Sequence, residues 1–102
     1  VTRVVISPRA EGEIEDIWLM IAADGVSIAN RIVSDIGRRI DRLKDHPRLG
    51  PRRPDIAPIV RVLVEGHFLI VYEHHPNTDE GPVELVYIVS VVDSRQDLTR
   101  LF

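Results

Sequence analysis

The residues of this chain best equipped for chemistry or recognition are its arginines. Four of them, Arg48, Arg52, Arg53 and Arg61, fall in the stretch from Pro47 to Tyr72. A fifth, Arg95, sits near the C-terminus, and Lys44 is the chain's single lysine. A guanidinium is planar and always charged, and it pairs bidentately with carboxylate or phosphate. The stretch also holds Pro47, Pro51, Pro54 and Pro58. Each proline fixes its own φ, removes a backbone donor and pushes the residue before it towards extended backbone. Residues 47–58 therefore read as a stiff, extended surface connector carrying guanidinium groups. Two other features invite a chemical reading. The pair His74-His75 looks like a metal-ligand pair, but neighbours on a strand point to opposite faces, so both cannot hold one ion. Trp18 could stack on a base, yet its spacing favours packing. Tyr72 and Tyr87 read as packing residues with a hydroxyl at the rim.

These side chains need a frame, and 102 residues with 44% hydrophobic and 28% charged residues supply one ordinary domain, spanning 1–102. There is no cysteine, so neither a disulfide framework nor thiolate zinc is expected, and the cytoplasm is the natural compartment. No apolar run approaches the length of a membrane span. The opening VTRVVISP is too soon interrupted for a signal peptide, and the absence of a leading methionine leaves open what precedes Val1. A net charge of −3 argues against general nucleic-acid binding. The average hides a gradient, because Glu11, Glu13, Glu15, Asp16 and Asp24 load the first helical region while arginines load residues 48–61.

In chain order, residues 2–6 form a short β-prone run. Ser7-Pro8 is a helix start, a serine N-cap with proline at the first helical position. Ala10, Ile14, Ile17, Trp18 and Ile21 line one face until Asp24-Gly25 ends the helix. A second helix begins near Ser27 and carries Ile28, Ile32, Ile36, Ile40 and Leu43 inwards, with Ala29 and Val33 beside them. Asp35–Arg39 and Asp41–Lys44 give ion pairs on its wet side, and His46-Pro47 stops it. So short a link between amphipathic helices predicts an antiparallel helical hairpin. Val60–Glu65 and His67–Glu73 then form a β-hairpin. A polar turn over 75–82 leads to Val83–Asp93, apolar on both faces and hence an inner strand. Asp93-Ser94 is placed to cap a last helical turn, RQDLTRLF. The expected architecture is α+β, with the helical hairpin and N-terminal strand packed on a twisted antiparallel sheet and a short C-terminal tail.

This order of elements, with these residues in them, resembles the ParE/RelE superfamily of toxins from bacterial toxin–antitoxin modules, the ParE branch best. The matching features are Ser7-Pro8-x-Ala10, the helix Glu13-Ile14-x-x-Ile17-Trp18, His46-Pro47-x-Leu49-Gly50, and the run RRPD from Arg52 to Asp55. Arg61, Gly66-x-Phe68-x-Ile70-x-Tyr72, Ile88-x-x-Val91 and Asp97-Leu98-x-x-Leu101-Phe102 complete them. The resemblance implies a small toxin neutralised by a ParD-like antitoxin that lays a helix and a strand over its groove. In the ParE branch the usual target is DNA gyrase, and no cofactor or metal is involved. In the RelE branch the protein is a metal-free ribonuclease acting on ribosome-bound messenger RNA.

Cleavage of RNA without metal needs a base, a proton donor and positive charge on the phosphate. The resemblance places a His or Tyr donor near the end of the last strand, where this chain has Asp93. A carboxylate there would repel the phosphate. Many ParE-like chains carry His there and Arg before the Asp-Leu pair, where this chain has Asp93 and Gln96, with Arg95 one position early and able to substitute. The expectation is therefore a binding inhibitor with no catalytic residue, against a RelE-like ribonuclease or a degenerate member that only titrates antitoxin. Target or antitoxin contacts are expected from Arg48, Arg52, Arg53, Arg61, Arg95 and Trp18, the tryptophan as core or groove edge. For Arg61 the alternative is an exposed strand arginine paired with Glu73 or Glu84.

Overall fold

A computed structural model of the chain describes residues 1–95. The elements run β1 (Arg3–Ile6), α1 (Pro8–Ala22), α2 (Val26–Arg42), β2 (Arg61–Glu65), β3 (Phe68–His75) and β4 (Leu85–Asp93). The last expected helical turn, RQDLTRLF, lies outside the described residues from Gln96 onwards.

Ser7 starts α1 as its sequence predicts. Its Oγ accepts from the Ala10 amide at 3.0 Å and donates to the Val89 carbonyl at 2.9 Å. One hydroxyl thereby caps the helix and fastens its start to the sheet. Ala10 and Ile17 are buried, with Ile14 and Ile21 packed beside them. On α2 the buried positions are Ala29, Ile36 and Ile40, followed by Leu43. Ile28, expected inside, is 44% exposed. It lies at the first turn of α2, off the line that Ala29, Ile36, Ile40 and Leu43 draw. The expected Asp35–Arg39 pair does not form. Asp35 pairs with Arg38, while Arg39 reaches over to Glu65 at 3.6 Å and donates to the Val64 carbonyl at 3.1 Å. A solvent-side helical pair contributes only a few tenths of a kcal/mol, too little to hold a side chain within reach of a sheet edge. Asp41–Lys44 forms as expected, at 3.0 Å.

The sheet order is β1-β4-β3-β2, so β4 is indeed internal. β2–β3 and β3–β4 are antiparallel, but β1 lies parallel to β4, which makes the sheet mixed. The two helices cover one face over a core that includes Ile36, Leu63, Ile70 and Ile88. The other face has its own cluster of Ile56, Val60, Val62, Leu69, Val71 and Val92. That second cluster corrects the expectation of an extended connector. Beyond Arg53 the chain folds into turns, with the amides of Ile56 and Ala57 donating to the Arg53 carbonyl. Turns let Ile56 and Val60 cover apolar strand residues that an extended strip would leave wet. No helix among the described residues is long and apolar enough to cross a membrane.

Candidate functional site

The β2–β3 hairpin turns at Gly66, whose φ of +58° suits glycine, and its far end holds the most constrained polar cluster. Arg61 and Tyr72 are register partners there. Tyr72 is fully buried, and its hydroxyl is not at a rim. The hydroxyl accepts from the Gly50 amide at 2.9 Å and donates to the Pro47 carbonyl at 2.9 Å. Burial raises its pKa, so it stays a neutral phenol that can do both. Gly50 is required by space, since a Cβ there would lie 2.5 Å from the Val62 carbonyl oxygen.

Arg61 was expected at the surface, paired with Glu73 or Glu84, or else reaching a partner. It is 7% exposed. Its Nη1 donates to the Gly50 carbonyl at 2.8 Å and lies 3.4 Å from that of Arg48, and its Nη2 is 3.8 Å from Asp79. Glu73 is taken by His75 at 3.0 Å. The reason is geometric: Arg61 shares the helix-side face with Leu63 and Tyr72, and the 47–53 segment roofs it. Burial, then the neighbouring Arg52, lowers its pKa from the ordinary guanidinium value. His74, beside it, is 1% exposed with Nδ1 at 2.9 Å from the Pro76 carbonyl. Its Nε2 and the Nε of Arg61 are buried with no hydrogen-bond partner among the described residues.

Arg48 and Arg52 are also committed. Arg48 donates to the Thr78 and Gly81 carbonyls at 3.0 Å each. Arg52 holds Asp79 at 2.9 Å and Asn77 at 2.8 Å. The hydrogen bond from Arg52 and the charges of Arg61 and Arg48 keep the Asp79 carboxyl below its usual range. These arginines therefore sew the proline-rich segment to the 76–81 loop instead of projecting freely. The Arg53 guanidinium bonds Asp55, two residues on, at 2.9 and 3.0 Å.

A second feature lies at the other end of the sheet. β1 stops at Ile6, paired with Ile88, while β4 continues to Asp93. Beyond the stop, α1 and β4 bound a groove of about 350 Å³ lined by Glu13, Asp16, Ile17, Met20, Phe68 and Val91–Asp93. Glu13 bridges it, accepting from the Ser90 hydroxyl at 2.7 Å and from the Val91 amide at 3.1 Å. Sequence reasoning missed this role, although Ala10, Glu13 and Ile17 follow helical spacing and place a carboxylate on the buried stripe. At the rim Asp93 accepts from the Arg95 amide and side chain, each at 2.9 Å. These bonds hold its carboxyl far below the usual carboxylate range. Trp18 stands apart on α1 and donates Nε1 to Asn30 at 2.8 Å, tying the two helices together. The six expected contact residues thus fall into separate places: Arg48, Arg52 and Arg61 around Asp79, Arg53 with Asp55, Arg95 at the groove, and Trp18 between helices. No group of three or more His, Cys, Asp or Glu among the described residues is arranged to hold a metal ion.

The sequence model of "ParE toxin of type II toxin-antitoxin system, parDE" matches residues 4–98. The chain belongs to that family. No curated protein sequence matches it at a significant level. Among solved structures, a chain from the chromosomal ParDE TA system of P. aeruginosa superposes with a TM-score of 0.72 at 19% identity, covering 90% of this chain and 95% of that one. At such identity the likeness speaks for the ParE-like fold alone. In this ParE-family chain the matched span takes in both the arginine cluster and the groove.

Proposed function

We propose that this protein is the toxin of a type II pair that acts by binding, with DNA gyrase as its target, and is neutralised by a ParD-like antitoxin. Family membership supports the toxin reading. The observation that carries binding over cleavage is Asp93, fixed as a carboxylate by Arg95 where an RNA-cutting relative would need a proton donor. Arg61, the other residue such chemistry would use, is buried under the 47–53 segment and spends its best hydrogen bond on the Gly50 carbonyl. A group so enclosed cannot reach a phosphate without the segment lifting. Binding needs no such movement, because a rigid complementary surface suffices.

The test is a supercoiling assay with purified gyrase. Inhibition accompanied by linearised plasmid is expected. Cuts within the codons of ribosome-engaged transcripts, lost on changing Asp93 or Arg61, would overturn the reading in favour of a ribonuclease. Co-expression with the protein of the adjoining reading frame should relieve growth arrest and yield a stable complex.

A further inference from the structure

The two buried polar atoms left without a partner at the arginine cluster have complementary chemistry. Arg61 Nε carries a hydrogen that it keeps at any ordinary pH, so it can only donate. His74 Nδ1 lies 2.9 Å from the Pro76 carbonyl, which can only accept, so Nδ1 holds the proton of the neutral ring. Nε2, unpartnered among the described residues, is therefore a bare acceptor. Arg61 faces Tyr72 across the β2–β3 ladder, and His74 stands two residues further along β3 on the same face. One water could serve both atoms, accepting from Arg61 and donating to His74.

Protonation of His74 reverses that fit. Nε2 becomes a second donor beside the Arg61 donor, and a water facing both would have no acceptor for its own hydrogens. The charges change in the same sense. Arg61 on β2 and Arg48 and Arg52 on the 47–53 segment all act on the imidazole. The 76–81 loop brings them the Asp79 carboxylate, which is 81% exposed and bonded to Arg52. β3 adds Tyr72, a neutral phenol, and β4 places the buried, apolar Val86 opposite His74. Glu73 and His75, on the other face of β3, bond each other. The helices and β1 reach this core with apolar side chains such as Ile17, Leu43 and Val4. Two buried donors amid uncompensated positive charge call for an anion. A monatomic one suits them better than phosphate, whose oxygens ask for more donors. We propose that Arg61 Nε–H and His74 Nε2–H form a buried chloride site that fills when His74 takes up a proton, so that proton and halide enter together. The site ties the packing of the 47–53 segment to pH and chloride, and it stands whether or not the toxin reading does.

The full chain, labelled with nitrogen-15 and carbon-13, is followed by NMR from about pH 8 to about pH 5 in sodium chloride and in sodium gluconate. Both salts are held at about 150 mM, so that screening is matched and only the size and chemistry of the anion differ. At the alkaline end His74 should be the neutral tautomer protonated on Nδ1 in either salt. On acidification its pKa should stand about half a unit higher in chloride, a roughly threefold gain in proton affinity. His46, His67 and His75 should titrate alike in both salts. The Arg61 Nε–H signal should move when chloride replaces gluconate at the acid end and stay in place at the alkaline end. The excess of the urea midpoint in chloride over that in gluconate should grow as the pH falls, and in His74→Gln it should not. A His74 pKa equal in the two salts would overturn the proposal and leave a bridging water in its place. Equal shifts at every histidine would overturn it too, as an effect of the salt on the whole surface. So would an Arg61 signal indifferent to the halide, a proton on Nε2 at the alkaline end, a chloride effect on the urea midpoint unchanged by pH or by His74→Gln, or a His74 that stays neutral in chloride until the chain unfolds.

Discussion

Replacing Tyr72 with phenylalanine removes one oxygen from a fully buried side chain and leaves the ring in place, so packing is nearly unchanged. The oxygen makes two hydrogen bonds of 2.9 Å, accepting from the Gly50 amide and donating to the Pro47 carbonyl. They join β3 to a segment more than twenty residues away in sequence. The Gly50 amide is the more serious loss, because its bond to the Tyr72 hydroxyl lies in a buried setting. An unsatisfied buried donor costs about 1–3 kcal/mol, whereas the half-buried Pro47 carbonyl, which water can reach, costs about 0.5–1 kcal/mol. The expected destabilisation is therefore about 2–3 kcal/mol, enough to lower Tm by roughly 10 °C or more in a domain of this size. Urea unfolding should show a lower midpoint with an unchanged slope, since the surface exposed on unfolding stays the same. Amide exchange at residues 47–50 should accelerate. Tyr87→Phe, at a half-buried tyrosine, is the control and should lie within about 0.5 kcal/mol of the parent. A Tyr72→Phe loss no larger than the control's would refute the reasoning, because it would mean that water replaces both bonds at no cost.

Gly50→Ala should destabilise by about 2 kcal/mol or more by urea melt, because the new Cβ would sit 2.5 Å from the Val62 carbonyl oxygen, a backbone atom that cannot swing aside. Ser7→Ala should cost about 1–2 kcal/mol in the same measurement, as it removes a helix cap together with the tie to Val89. His74 predicts a pH dependence. Burial, followed by repulsion from Arg61, Arg48 and Arg52, lowers its pKa below the ordinary value of 6.5, against an opposing pull from the Pro76 carbonyl. The unfolded chain therefore takes up the proton first, so this contribution to stability is full above the ordinary value and is lost as the pH falls below it. The urea midpoint of the parent should fall more between about pH 7.5 and pH 5 than that of His74→Gln, and parallel profiles would contradict the assignment.

Element types and order were legible in the sequence because they rest on short-range rules. Ser7-Pro8 dictates where α1 begins, the isoleucine spacing gives α2 its inner face, and an apolar run without alternation puts β4 inside the sheet. The motifs named the family correctly for the same reason, being local strings in a fixed order. Side-chain partners were not legible, since they depend on which distant segment arrives. Arg61 reads as a surface charge until residues 47–53 close over it, and Arg48 and Arg52 read as free until the 76–81 loop meets them. The parallel pairing of β1 could not be read either, because a four-residue strand is compatible with either direction. Sequence thus settled the scaffold, where propensity and periodicity act over a few residues. Tertiary structure alone decided which charges are spent internally and where β4 outruns β1, because both follow from the relative lengths and positions of elements far apart in the chain.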